Sequence, residues 1–141
     1  MRVLYITHCS KKKNNIRSKT LAENLYSATY LQRFIKKCKE LDVKWGILSD
    51  KYGIVFPKQK IKWYDLSPSH LLKNQTESKK LIKKVTRQLQ RFNKIFFYYN
   101  PGRFHPFYRY LIRKLRNQNI NIKLISHLSQ ISIKEENYEK V

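Results

Sequence analysis

This chain of 141 residues carries 31 Lys and Arg against nine Asp and Glu, a formal charge of +22, and its length suits one domain with a single core. With 41% hydrophobic and 13% aromatic residues it is rich enough to fold, so the charge belongs to a surface and not to a disordered chain. Such a surface needs a polyanion. Nucleic acid, whose phosphates release counterions on binding, answers better than an anionic membrane, because no run approaches the roughly 20 apolar residues of a spanning helix and none has a signal-peptide flank.

In chain order, Arg2 to Thr7 is a β-branched and aromatic run that reads as a strand, followed by a polar loop from His8 to Asn15. From Ser18 apolar residues recur at Leu21, Leu25, Ala28, Leu31, Phe34, Ile35, Cys38 and Leu41, a helical period with a break near Ser27. Lys44 to Leu48 is a second strand. The stretch from Ser49 to about Ser69, with two prolines, reads as a long ordered loop. Thr76 to Phe92 is a helix with Leu81, Ile82, Val85, Leu89 and Phe92 on one face, and Lys94 to Tyr99 a third strand closed by the turn Asn100-Pro101-Gly102. A further helix carries Phe104, Tyr108, Leu111 and Leu115, Asn121 to Ile125 is a fourth strand, and residues 135–141 read as a frayed tail beyond a single domain of residues 1–134.

Strands that alternate with helices imply crossovers, hence an α/β, three-layer domain whose open, mostly parallel four-stranded sheet carries helices on both faces. Ligands bind such sheets at the carboxyl ends of the strands, and all four ends here carry polar residues. These are His8 to Lys12, Ser49 to Tyr52, Asn100 with Arg103, and Ser126 with His127. Loops are polar everywhere, but the segment from Asp50 to Asp65 also keeps Tyr52, Phe56, Trp63 and Tyr64, which are costly to expose, and it holds two of the nine acids. A pocket is expected there.

No phosphate cradle of the GxxxxGK[ST] or GxGxxG kind is present, which argues against kinase, nucleotide-hydrolysing and dinucleotide-dependent chemistry. Cys9 and Cys38 are too few for a disulfide framework and lack metal-pair spacing, which points to a reducing cytoplasm. His8, His70, His105 and His127 are scattered, so neither a metal nor a cofactor is expected. Cys9 beside His8 or His127 offers a thiol nucleophile with a base, its thiolate favoured by Lys11 to Lys13; the alternative is a small residue packed where strand meets loop. Lys79, Lys80, Lys83, Lys84, Arg87 and Arg91 lie off the Leu81, Val85 and Leu89 stripe. They form a solvated face or, if they adjoin the pocket, a backbone track.

Four segments in order carry a resemblance: Cys9-Ser10-Lys11-Lys12; Leu25-Tyr26-Ser27; Leu48-Ser49-Asp50-Lys51-Tyr52-Gly53-Ile54 with Pro57; and Tyr64-Asp65-Leu66. Together they resemble a family of small bacterial, archaeal and phage domains with the pattern C-x-K-K, L-Y-x-S, L-S-A-K-[YH]-G-L-x-x-P and P-Y-D. The Ser-to-Tyr stretch is similar to the DNA-binding peroxide-stress YaaA proteins, and the Cys-Ser-x-Lys segment more loosely to the middle domain of archaeosine synthase, related in fold to uracil-DNA glycosylases. The likeness covers residues 3 to 66. Asp50 stands where the pattern has Ala, and Trp63 where it has Pro.

The resemblance implies a uracil-DNA-glycosylase-like fold and a nucleic-acid or nucleobase role, with DNA favoured over RNA. A base glycosylase needs aromatic walls for a flipped base, a carboxylate to orient water or to support the electron-poor sugar, and cations on the phosphates. In that role Asp65, Asp50 and Tyr52 are the catalytic candidates; Cys9, Ser49, Tyr52, Tyr64 and Asn100 meet the base; and Lys11, Lys12, Lys51, Arg87, Arg91 and Arg103 meet phosphate. A non-catalytic DNA-binding stress or repair protein, or a basic subunit of an RNA-modification complex, fits the same charge. For Asp65 the plain alternative is a turn or cap leading into Ser67-Pro68, and for Tyr52 a half-buried packing residue.

Overall fold

Four parallel strands build the centre of the molecule, seen in a computed structural model that describes residues 2–133 except the Arg103 side chain. The expected tail, 135–141, lies outside the described residues. The strands are β1 (Val3–His8), β3 (Trp45–Ser49), β6 (Lys94–Tyr98) and β7 (Ile122–Ile125), and a three-residue strand, β4 (Gly53–Val55), adds antiparallel to β3. The five-stranded order is β4-β3-β1-β6-β7. Two further short strands, β2 (Thr20–Leu21) and β5 (Lys60–Ile61), pair antiparallel as a separate ribbon.

Alternation along β1 explains the three layers. Val3 and Tyr5 face one side of the sheet and pack with α1 (Ala22–Leu25) and α2 (Thr29–Leu41) through Leu25, Leu31, Phe34 and Cys38. Leu4 and Ile6 face the other side and pack with α3 (Pro68–Lys73), α4 (Gln75–Leu89) and α5 (Pro106–Asn117) through Leu71, Val85, Leu89, Phe107 and Leu111. A strand buried on both faces reads as one continuous apolar run, as Val3 to Thr7 does. Among the described residues no helix is long and apolar enough to cross a membrane.

The main departures from the sequence reading concern residues 18–25 and 49–69. Thr20 and Leu21 pair with the Lys60–Ile61 segment before the first helix begins, so that helix starts later than its apolar period suggests; its break falls after Leu25, as expected near Ser27. The long loop is in fact a hairpin. Ser49 accepts hydrogen bonds at its Oγ from the amides of Lys51 (3.2 Å) and Tyr52 (3.0 Å), a tight turn that reverses the chain into β4. Gly53 enters that strand at φ 76°, where a Cβ would stand 2.6 Å from Gln88 Oε1. Helix α3 has only six residues, too few to show a period within a stretch that reads as loop; Pro68 sits in its first turn and Ser67 caps it by accepting from the His70 amide. The cap is therefore Ser67 and not Asp65.

Both sheet edges meet side chains. On β4, Gln88 of α4 accepts from the Ile54 amide (2.8 Å) and donates to the Ile54 carbonyl (2.9 Å). On β7, the Arg116 guanidinium donates twice to the Ile122 carbonyl, at 2.8 and 3.2 Å.

Candidate functional site

The connection leaving β1 runs through α2 to β3 on one side, whereas β6 lies on the other side of β1 and continues to β7. Crossovers that diverge in this way part the loops above the strand ends and leave a crevice there. In this chain it is a cavity of about 830 Å³. His8, Cys9 and Ser10 from the end of β1, Asp50 from the β3–β4 turn, and Asn100 and Tyr108 from beyond β6 form its inner wall. Lys11, Lys12 and Lys13 of the following loop, with Arg33 of α2, supply cations at its side, and Asp65 to Ser69 with His105 complete it.

Asp50 is the group that sets the chemistry of this floor. Only 4% of it is exposed, and it accepts a 2.8 Å hydrogen bond at Oδ1 from the Tyr108 hydroxyl. Burial pushes its carboxyl up to about 6, against the opposing pull of that hydrogen bond, of one with Cys9 and of the Lys13 charge. An acid with that pKa both holds and gives up a proton near neutral pH. Tyr108 stays protonated, since burial and then the nearby acidic groups raise its pKa well above the usual phenol value.

Cys9 answers the nucleophile question. Its sulfur lies 3.7 Å from the Tyr108 hydroxyl, and burial, reinforced by the Asp50 charge, pushes its thiol up to about 12. The lysines of the next loop do not offset that desolvation, which disfavours a thiolate at neutral pH and favours the packed residue over the nucleophile. His8 does not serve it as a base. Its Nδ1 lies 3.0 Å from both the Cys9 carbonyl and the Tyr30 hydroxyl, and its Nε2 is buried with no partner among the described residues. Burial lowers the His8 pKa, which keeps the ring neutral. The ring packs between Tyr30 and Tyr108, each with its centroid 5.0 Å away. His127 is exposed and is absent from the cavity wall.

The other candidates divide. Lys11, Lys12, Asn100, Asp50 and Asp65 do converge on the cavity, with Asp65 exposed at its rim. Asn100 also accepts at Oδ1 from the Gly102 amide and so shapes the turn after β6. Ser49 and Tyr64 are interior groups: Ser49 donates to the Tyr64 hydroxyl at 3.0 Å, and that hydroxyl shares a 2.6 Å bond with Tyr26. Neither lines the main cavity, because this network needs both. Tyr52 packs its ring edge-on against Tyr64 at 5.5 Å and donates to the Lys62 carbonyl, which makes it a brace and not a wall of the main cavity.

Tyr64 instead borders a second cavity of about 480 Å³, with Lys51, His70, Glu77, Lys80 and Lys84. Asp50, Asp65 and Leu66 border both cavities. Arg87 and Arg91 border neither. Arg91 lies over Phe56 and Phe92, near the end of α4 that leads into the start of β6, so of the α4 cations named above only Lys80 and Lys84 border a cavity. Arg103 ends a short 3-10 turn beside the cavity loop, and its side chain lies outside the described residues.

Tyr108, Tyr30, Arg33 and His105 were not legible as site residues. Tyr108 counts as one more aromatic in the apolar stripe of α5; the signal was its place in the first turn of a helix that starts at the carboxyl end of a strand. His105 caps that helix by accepting from the Phe107 amide at Nδ1, leaving Nε2–H to meet Ser69 Oγ at 3.0 Å. Among the described residues no three His, Cys, Asp or Glu side chains are grouped as metal ligands. Comparison with curated proteins and with solved structures gave no match. Residues 4–139 match the model of DUF6884, a family of unknown function, and the chain belongs to that family.

Proposed function

We propose that the protein binds nucleic acid at the strand-end cavity, taking one nucleotide with its base against the Asp50 and Tyr108 floor and its phosphates over Lys11, Lys12, Lys13 and Arg33, and that it acts on the base or its glycosidic bond. The observation that carries this reading is a buried carboxyl, poised near pH 6, at the bottom of a cavity with four cations at its side. The volume falls within the range of about 300–1,000 Å³ usual for small-ligand sites. Asp50 or Asp65 supplies the carboxylate that turns water on the sugar, and a net charge of +22 supplies the attraction. The four-stranded parallel core between helix layers agrees with a uracil-DNA-glycosylase-like domain, and the kinship with YaaA and archaeosine synthase belongs to the same proposal. DNA is the favoured polymer.

The second reading is a binding protein without chemistry. It is favoured by the Tyr108 hydrogen bond, which holds Asp50 as a fixed acceptor at the cavity wall, able to read an N–H on a base. Anisotropy titrations with labelled oligonucleotides, at several salt concentrations, test the shared part. The expected log-log slope is several units, and salt-independent affinity or no binding at low salt rejects it. Chromatography for released base, with Asp50→Asn and Asp65→Asn as controls, then separates the two readings.

A further inference from the structure

Trp63 is the residue that the cavity does not use. The segment 62–67 is neither helix nor strand, yet it is held on both sides: Tyr52 donates to the Lys62 carbonyl at 3.3 Å, and the Tyr64 hydroxyl is tied to Ser49 and Tyr26. With Tyr64 turned inward, extended alternation sends Trp63 outward, where 45% of it is exposed. Lys60 and Lys62 are exposed on the same strap, and two residues on, Asp65 stands at the divide between the two cavities.

We propose that Trp63 is a stacking platform for an unpaired base, so that the polymer this protein takes is single-stranded. The inference rests on the reading of the cavity as a nucleotide site. An indole face held open on a braced backbone is satisfied by the face of a base, and in a duplex those faces are already covered by neighbouring pairs. Lys60 and Lys62, both exposed on the side of the strap that leads into Trp63, supply cations for the adjoining backbone, as single-strand grooves do. A lipid surface fits less well: one ring set between Lys62 and an exposed Asp65 offers too little apolar area to enter a membrane interface.

The test uses the full chain, its emission, and three probes at low salt: a ten-nucleotide single strand, the same sequence as duplex, and vesicles containing phosphatidylserine. The second tryptophan, Trp45, is 4% exposed within β3, so ligand-dependent emission reports Trp63. The single strand should quench it, the duplex should bind more weakly and without comparable quenching, and Trp63→Ala should weaken single-strand affinity about 5- to 140-fold while Trp63→Phe retains most of it. Binding of the single strand without quenching, or with equal affinity in Trp63→Ala, overturns the platform and leaves the cavity reading standing. No binding of any oligonucleotide overturns both. Emission that responds to vesicles and not to the single strand assigns the ring to lipid and also overturns the proposal.

Discussion

Asp50→Asn isolates the most consequential group in the molecule. The folded chain holds this proton up to about pH 6, against a reference value of 3.8. A carboxyl whose pKa is raised by folding adds stability that is fully present below pH 3.8 and is lost as pH rises through about 6. At about 1.4 kcal/mol per unit, the shift amounts to about 3 kcal/mol against the fold at pH 8. Asparagine keeps an oxygen for Tyr108 and carries no charge to desolvate. The variant should therefore match the wild type near pH 4 and exceed it by about 3 kcal/mol at pH 8, a rise in Tm of about 10 °C for a domain of this size. Thermal or urea melts of both proteins at intervals from pH 4 to 8 measure the difference. His8 titrates in part of the same window, but it does so in both proteins and cancels. A difference that is flat with pH, or a variant less stable at pH 8, would refute the assignment of a costly buried charge at this position.

Three further outcomes follow from the same geometry. Tyr108→Phe removes the hydrogen bond that holds the Asp50 pKa down, so the midpoint of the pH-dependent stability should move upward and the fold should lose about 1–3 kcal/mol above pH 7, as read by the same melts. Cys9 and Cys38, both buried with thiols pushed up to about 12, should resist a thiol-specific reagent at pH 8 until denaturant is added; fast labelling of Cys9 in the native protein would restore the nucleophile reading. Lys12→Glu should weaken oligonucleotide binding at least tenfold and lower the salt slope by about one or more, whereas Arg91→Glu, which borders neither cavity, should do markedly less. Equal losses in the two variants would mean that charge is read globally and not at the cavity.

The parallel core was legible because its strands are apolar on both faces and alternate with amphipathic helices; β1, β3, β6 and β7 fall within a residue or two of their sequence limits. The hairpin at Gly53 was not, because β4 has three residues and its pairing is dictated by a side-chain turn at Ser49, a contact that periodicity does not encode. The site was half legible for a related reason. Polar residues at strand ends announce themselves, and Lys11, Lys12, Asp50, Asp65 and Asn100 do line the cavity. Which acid is buried is decided by Tyr108, 58 residues away in the chain, and that pairing has no local trace. The aromatic residues carry no local mark of their place: Tyr52 and Tyr64 stand off the main cavity, Tyr64 bordering the second one, while Tyr108, one of the apolar stripe of α5, lines the main cavity.

The side chains at the two sheet edges bear on how copies of this chain meet one another. An edge strand offers unpaired amides and carbonyls that a foreign strand can extend, a route to fibres for any open sheet. At Ile54 both groups are taken by Gln88, and at Ile122 the carbonyl is taken by Arg116. The β4 edge thus carries, at Ile54, both hydrogen bonds a sixth strand would have supplied there, and the β7 edge carries the one to the Ile122 carbonyl. A docking strand would have to displace Gln88 from two bonds at once, and at the far side drive a cationic guanidinium off its carbonyl. A net charge of +22 adds a repulsion between copies to the obstruction at these two edges.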